Sequence, residues 1–462
     1  MQQHIAREVE CTNTFKEALH FHTSENLKYT LVNISLLLEL IGLVRNGCKY
    51  CIENGLLRVS SVDFKGACLE IKLACEECGT KISWNSSLQY PDTSFQINRD
   101  IARALTTSGG ERSDLFRFFD SLRCGMYCAS SFDSTVDIME TVIFEEEDRC
   151  YQLNIRNANQ EFQLNTQNAT IIGFDCQHSR SQHAFGPAPF ATATFINHTP
   201  GPGYKQILFQ SHISTALMKK DGLVGSESKD KIVTHNGLKV MELHLNKIQK
   251  GICDMSSSGN KSWTEVIAKS NKHRGAICAN CAWHKTKSIA KNFKTKLLEH
   301  RTKLKVKIGN QEYVRTYPEL GELGITVKKI RNYWIWCQHQ FPGNPAAMGE
   351  AFMDVVDFYD MLSDHTLTQE TKDAFEEWVE KEAMHLEKYC DGLLTDLEES
   401  FHNLNKKYWR KGVQYSFRNY MAKRALAALD WCEQTHFRQI SPKNTYSNEY
   451  LFEKRIAQAF DD

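Results

Sequence analysis

This chain of 462 residues is expected to adopt an α/β fold. A mixed sheet is interrupted by a long helical insertion, behind an N-terminal region that is partly helical and partly a cysteine-bearing β segment. Three observations predict this. Apolar, strand-like runs alternate with helical segments between residues 168 and 300, after an opening meander of three strands. A helical pattern then occupies 312–390. Ahead of both, two Cys-x2-Cys pairs bracket two alternating apolar segments.

The elements divide the chain into consecutive units. Residues 1–45 form an N-terminal helical segment. Within it the run Tyr29 to Val44 is apolar but contains Asn33, Ser35 and Glu39, and it is too short to span a bilayer, so it reads as an amphipathic or buried helix. Met1 to Glu25 is polar and acidic, without the apolar core and small residues of a secretion signal. Residues 46–90 are β-rich, with Leu56 to Val62 and Ala67 to Leu73 as strands. Residues 91–167 are a helical linker domain, with helices expected over Arg99 to Leu105, Asp114 to Leu122 and Ser134 to Glu147. Residues 168–311 begin the α/β core, 312–390 are the insertion, with Met348 to Leu362 and Gln369 to Tyr389 its clearest helices, and 391–462 return to the core as C-terminal helices.

Composition bounds the function. Hydrophobic residues make up 41% and charged residues 24%, the balance of a folded globular protein. The formal net charge is zero, so overall charge does not announce a partner, but its distribution is uneven. Lys285 to Arg331 holds 13 Lys and Arg against 4 acidic residues, and Glu350 to Glu399 holds 16 acidic residues against 3 Lys. Lys406 to Arg424 holds seven basic residues and no acidic one. Basic blocks of this kind suit solvated helix faces or a surface that tracks phosphates.

The 16 cysteines come without a secretion signal, which favours metal binding and free thiols over disulfides. Cys48-x2-Cys51 and Cys75-x2-Cys78 are each a tight turn that aims two thiolates at one ion. Together they offer the four sulfurs of a structural zinc site, with a β-hairpin between them. Gly47 and Gly79 flank the pairs. Cys124-x3-Cys128 reads as two core cysteines on a helix.

The candidate catalytic residues are carboxylates. The run Ile171-Ile172-Gly173-Phe174 is apolar and ends on Asp175; Ile252-Cys253 ends on Asp254. A carboxylate in such a position is costly unless it is exposed or holds a cation. Two aspartates on adjacent strand ends and a glutamate on a helix can hold two divalent metals, magnesium or manganese, for phosphoryl transfer on nucleic acid. The glutamate lies in Leu397-Glu398-Glu399-Ser400-Phe401-His402. Leu397, Phe401 and Leu404 share a helix face, and Glu398 is the closest to it by spacing; periodicity alone leaves open whether Glu398 or Glu399 turns inward. After Asp175 the chain is polar, and His178, Arg180 and His183 are candidates for DNA phosphates. Cys281-x2-His284 opens a helix with Lys285 and Lys287 behind it, further candidates for DNA contact.

Taken together these residues resemble a cut-and-paste DNA transposase of the Mutator-like kind. The resemblance spans about residues 45–435. It implies an RNase H-like core with Asp175, Asp254 and Glu399 as catalytic and magnesium-binding triad, and Cys281 and His284 as the signature after the second aspartate. It also implies a zinc ribbon at Cys48, Cys51, Cys75 and Cys78, double-stranded DNA (transposon ends and target) as partner, a homo-oligomer, and a nuclear location. There is little room before Cys48 for a separate DNA-binding finger, which assigns end recognition to the ribbon and nearby helices. The alternative is a domesticated relative that binds DNA without cutting it.

Overall fold

A computed structural model describes residues 31–440, apart from 52–54, 92–93, 109, 111, 123–128, 165–169, 180–187, 202, 224–227, 255, 299–301, 309–310, 316–326, 358–368, 385 and 410–414. Cys124, Cys128, Arg180 and His183 lie outside the described residues, as does the part of the N-terminal helical segment before residue 31.

The first helix, α1 (Ile34–Asn46), starts where the Asn33 side chain accepts the Ser35 N–H at 3.0 Å. Such a cap satisfies one of the amides that a helix start leaves without a partner. Three antiparallel strands follow in sequence order, β1 (Leu57–Lys65), β2 (Cys68–Cys75) and β3 (Lys81–Asn85). The turn between β1 and β2 uses Gly66 at φ 71°, a conformation in which a side chain would be strained. Leu57, Ile71, Leu73 and Trp84 form a core against Leu40 of α1, and Trp84 Nε1 donates to the Leu36 carbonyl at 2.8 Å.

The linker domain is helical, as expected: α2 (Gln96–Thr107), α3 (Arg112–Ser121) and α4 (Ala129–Leu164). The last is 36 residues long and runs well past its expected end at Glu147. Its second half joins the cores of the central sheet: Tyr151 clusters with Ile196 and Ile207, and Ile155 and Ala158 with Ile172.

That sheet has five strands in the order β6-β5-β4-β7-β8. The strands β4 (Thr170–His178), β5 (Phe190–Asn197) and β6 (Ile207–Ser214) form the expected antiparallel meander. On the other side of β4, β7 (Ile248–Cys253) and β8 (Ile277–Asn280) run parallel to it. The parallel connections pass through α5 (Thr215–Lys220), α6 (Lys229–His244) and α7 (Ser257–Val266). Strand residues alternate between faces. Ile172 and Phe174 therefore join Phe195, Leu238, Met241 and Trp263 in one core. The opposite face is covered by α4 and the two C-terminal helices, α12 (Asp396–Tyr408) and α13 (Phe417–Ile440).

Between β8 and α12 the chain forms α8 (Ala282–Phe293), a hairpin of β9 (Thr302–Ile308) and β10 (Gln311–Arg315), then α9 (Val327–Gln340), α10 (Pro345–Met353) and α11 (Gln369–Ala383). The helical pattern expected from residue 312 thus gives way at its start to a strand, because Gln311–Arg315 pairs with β9. The insertion has its own core, with Ile289 and Phe293 of α8 packed against Trp334, Phe352, Phe375 and Val379. No described helix is long and apolar enough to cross a membrane.

Candidate active site

Asp175 lies on the central strand of the sheet, on the face covered by α12. It does not end its strand as the sequence suggested; β4 continues for three more residues because Asp175, Cys176, Gln177 and His178 pair with β5. Gly173, Asp175 and Gln177 alternate onto one face, and α12 lies over them. Glu398 closes on Gly173, His402 Nδ1 lies 3.4 Å from Asp175 Oδ2, and Asn405 Nδ2 lies 3.4 Å from Gln177 Oε1. The match is geometric. Helix positions four apart rise about 6 Å, close to the spacing of every second strand residue. Glycine is required at 173, since a Cβ there would collide with the Glu398 carboxylate and the His198 ring.

The Asp175 carboxyl is pushed up to about 8. Burial is the main cause and the charge of Asp254 the next; Glu398 adds to both, against the Cys176 N–H bond at 2.8 Å and the charge of His284. Asp254 follows directly on β7, whose Cys253 pairs with Phe174, and its Oδ1 accepts the Ser256 N–H at 3.1 Å just before α7. The two aspartates therefore come from neighbouring parallel strands and repel one another.

Both glutamates of α12 reach this region by different routes. Glu398 is fully buried, bonded to His198 Nε2 at 2.9 Å, and its Oε2 has no hydrogen-bond partner among the described residues. Glu399 is more exposed and its Oε1 lies 3.5 Å from His284 Nε2. Cys281 and His284 sit at the start of α8. The Thr395 N–H points at Cys281 Sγ at 3.4 Å, and the Ala282 N–H donates to the Leu393 carbonyl at 2.9 Å, so this turn holds the entry of α12. Burial opposes ionisation of the Cys281 thiol, but bonds from His284 and Thr395 outweigh it and bring the thiol down to about 7. His284 is raised in turn, first by Cys281 and further by Glu399 and Asp254, with burial working against them.

The four N-terminal cysteines also converge. Cys48 and Cys78 sulfurs lie 3.7 Å apart, Cys51 and Cys75 sulfurs 3.4 Å apart, and all four fall within 4.8 Å of one another. Four thiolates at such separations could bind zinc, whose bonds of about 2.3 Å to sulfur require spacings of this order. Hydrogen bonds from Thr80 bring the Cys78 thiol down to about 6.

The expected DNA contacts divide. Lys287 is exposed, with its ammonium 5.0 Å over the Trp283 ring. Lys285 is buried instead; its ammonium bonds Glu382 at 2.7 Å and ties α8 to α11, which removes it from any DNA-facing surface. His178 faces α6, where it pairs with Asp230.

Sequence reasoning placed His402 only as a neighbour of the glutamates, with no role, and did not single out His198, Gln177 or Arg424. Arg424 of α13 is fully buried, bonded to Gln177 and, at 2.9 Å, to Thr194 Oγ1. Two signals existed: a glycine inside an apolar strand, which marks close approach, and a Glu and a His four apart on one helix. Nothing local marks Arg424. Compared with known proteins, the chain matches no family model and no curated protein.

Proposed function

We propose that this chain is a metal-dependent DNA transposase of the Mutator-like kind, built on an RNase H-like core, that cleaves DNA strands and transfers them. One observation carries the reading: Asp175 and Asp254 approach from adjacent parallel strands beneath a helix bearing Glu398 and Glu399. The mixed sheet, a meander joined to two parallel strands, supports the RNase H-like core.

The donors are of the type a hard divalent cation takes, although Asp175, Asp254 and Glu399 do not bring one ligand atom each within 4.8 Å of one another. They are carboxylates, Asp175 is raised first by burial and then by its acidic neighbours, and Glu398 keeps a buried oxygen without a partner among the described residues. Magnesium or manganese, if held by Asp175, Asp254 and Glu399, would supply the electrophilic activation of in-line phosphoryl transfer. The remaining roles belong to the protein's own groups. Cys281 and His284 fix the start of α12 and with it Glu399. His198 holds Glu398 against Gly173. His402 orients the Asp175 carboxylate. Lys287 contacts the DNA phosphates, and zinc on the four N-terminal cysteines would brace the ribbon.

The test is strand cleavage of duplex DNA by the full chain with magnesium, with EDTA, and by Asp175→Asn. Cleavage that needs the metal and Asp175 supports the transposase reading. DNA binding that is equal in all three, without cleavage in any, leaves the domesticated DNA-binding relative.

A further inference from the structure

On the opposite face of β4 lies a group of residues that the carboxylate site does not use. Cys176 and His178 are two apart on the strand, so their side chains share a face, while Asp175 and Gln177 point the other way. That face meets the first turn of α6, which begins where Ser228 caps the Lys231 N–H and carries Asp230. Asp230 Oδ1 lies 2.8 Å from His178 Nε2 and 3.3 Å from Cys176 Sγ. One ligand atom from each of the three falls within 4.8 Å of the other two.

We propose that Cys176, His178 and Asp230 form a second metal site, for zinc or a divalent ion of similar softness, that clamps the end of β4 to the start of α6. One sulfur, one imidazole nitrogen and one carboxylate oxygen are all zinc donors, and their separations suit bonds of about 2.0 to 2.3 Å to a common centre. The sulfur argues against magnesium, which takes oxygen. Three protein donors leave a fourth tetrahedral position, and the partial exposure of His178 (23%) and Asp230 (35%) gives water access to it. Lys229, next to Asp230 on α6, sends its ammonium to the Ala188 carbonyl, and its charge also favours the ionised Asp230 carboxylate. The clamp lies one residue beyond Asp175, so the ion stiffens the strand that presents the catalytic face. It does not depend on the transposase reading.

The experiment counts zinc in the full-length chain after saturation with zinc and gel filtration, by elemental analysis. About two ions per chain are expected: one on the four N-terminal cysteines and one here. His178→Ala and Asp230→Asn should each lose one, Cys48→Ser should lose the other, and Asp175→Asn should keep both. A count unchanged by His178→Ala and Asp230→Asn overturns the proposal, as does a second ion that leaves only with Asp175→Asn. Cobalt spectroscopy of the unmutated chain decides the matter should the variants not fold. Two distinct sites at saturation, one tetrathiolate and one with a single thiolate, support the clamp. A tetrathiolate spectrum alone overturns it.

Discussion

Asp175→Asn is expected to stabilise the metal-free protein. The Asp175 carboxyl is raised from 3.8 in the unfolded chain to about 8 in the fold. The folded state therefore holds a proton that the unfolded state releases, and this group's contribution is most favourable below 3.8 and is lost progressively as pH rises towards 8. Each pKa unit corresponds to about 1.4 kcal/mol, so at pH 7 the charge costs at most about 4 kcal/mol. The side chain keeps 18% of its surface in water, which brings a working figure down to about 2 kcal/mol. Asparagine has the same shape and can still accept the Cys176 N–H, but carries no charge. Thermal unfolding followed by circular dichroism at pH 7 in EDTA should show Asp175→Asn melting several degrees above the unmutated protein, at about 2 to 4 °C per kcal/mol for a unit of 150–250 residues. The gap should close near pH 4. Saturating magnesium should reverse the order, since an ion at 100 times its Kd adds about 2.7 kcal/mol only to the protein that binds it. An Asp175→Asn protein that melts below the unmutated one in EDTA, or an unmutated protein whose melting ignores magnesium, refutes the idea that crowded carboxylates await a cation.

Four further outcomes are expected. Glu399→Gln should bind duplex DNA in a gel-shift assay yet lose strand cleavage by about 10²-fold or more, the scale on which one preorganised electrostatic group is felt, while Glu398→Gln still cuts; the reverse moves the third carboxylate to Glu398, and full activity in both removes the triad. Cys48→Ser should release zinc and loosen the N-terminal sheet to proteolysis while Asp175 and Asp254 stay in place; unchanged zinc content would contradict the ribbon. His284→Ala should lower cleavage by misplacing Glu399, with metal affinity little changed, read by magnesium titration of the rate; full activity would deny it that role. Gly173→Ala should cost about 1 to 3 kcal/mol in chemical denaturation, the usual penalty of overpacking a filled core, because the new methyl meets Glu398 and His198; a neutral effect would mean that Glu398 is free to withdraw.

What could be read from the residues followed from periodicity and spacing. The apolar run Ile171 to Phe174 and the strand-like segments after it pointed to the meander, and the Cys-x2-Cys pairs to the sulfur cluster, because both are short-range patterns. The glutamate choice was only partly legible: adjacent helix positions differ by about 100°, and Glu398, the nearer of the two to the face of Leu397, Phe401 and Leu404, is the buried one. Lys285 was not legible, because its burial depends on Glu382, 97 positions away in the chain. The sequence puts His178 past the end of its strand, among candidates for DNA phosphates, since no local signal says that a polar Asp-Cys-Gln-His run goes on pairing with β5.

The Ala282 to Leu393 hydrogen bond and the Thr395 contact to Cys281, whose partners are 114 positions apart in the chain, have a bearing on how such a protein can change. The long segment between β8 and α12 leaves and rejoins the sheet at one spot, stapled at its neck. Whatever lies beyond the staple can lengthen, shrink or be exchanged without shifting Glu399 relative to Asp254, provided the neck is kept. Selection acting on what the excursion touches is thereby uncoupled from selection acting on the carboxylate site, and the most informative graft would cut the chain just outside Ala282 and Leu393.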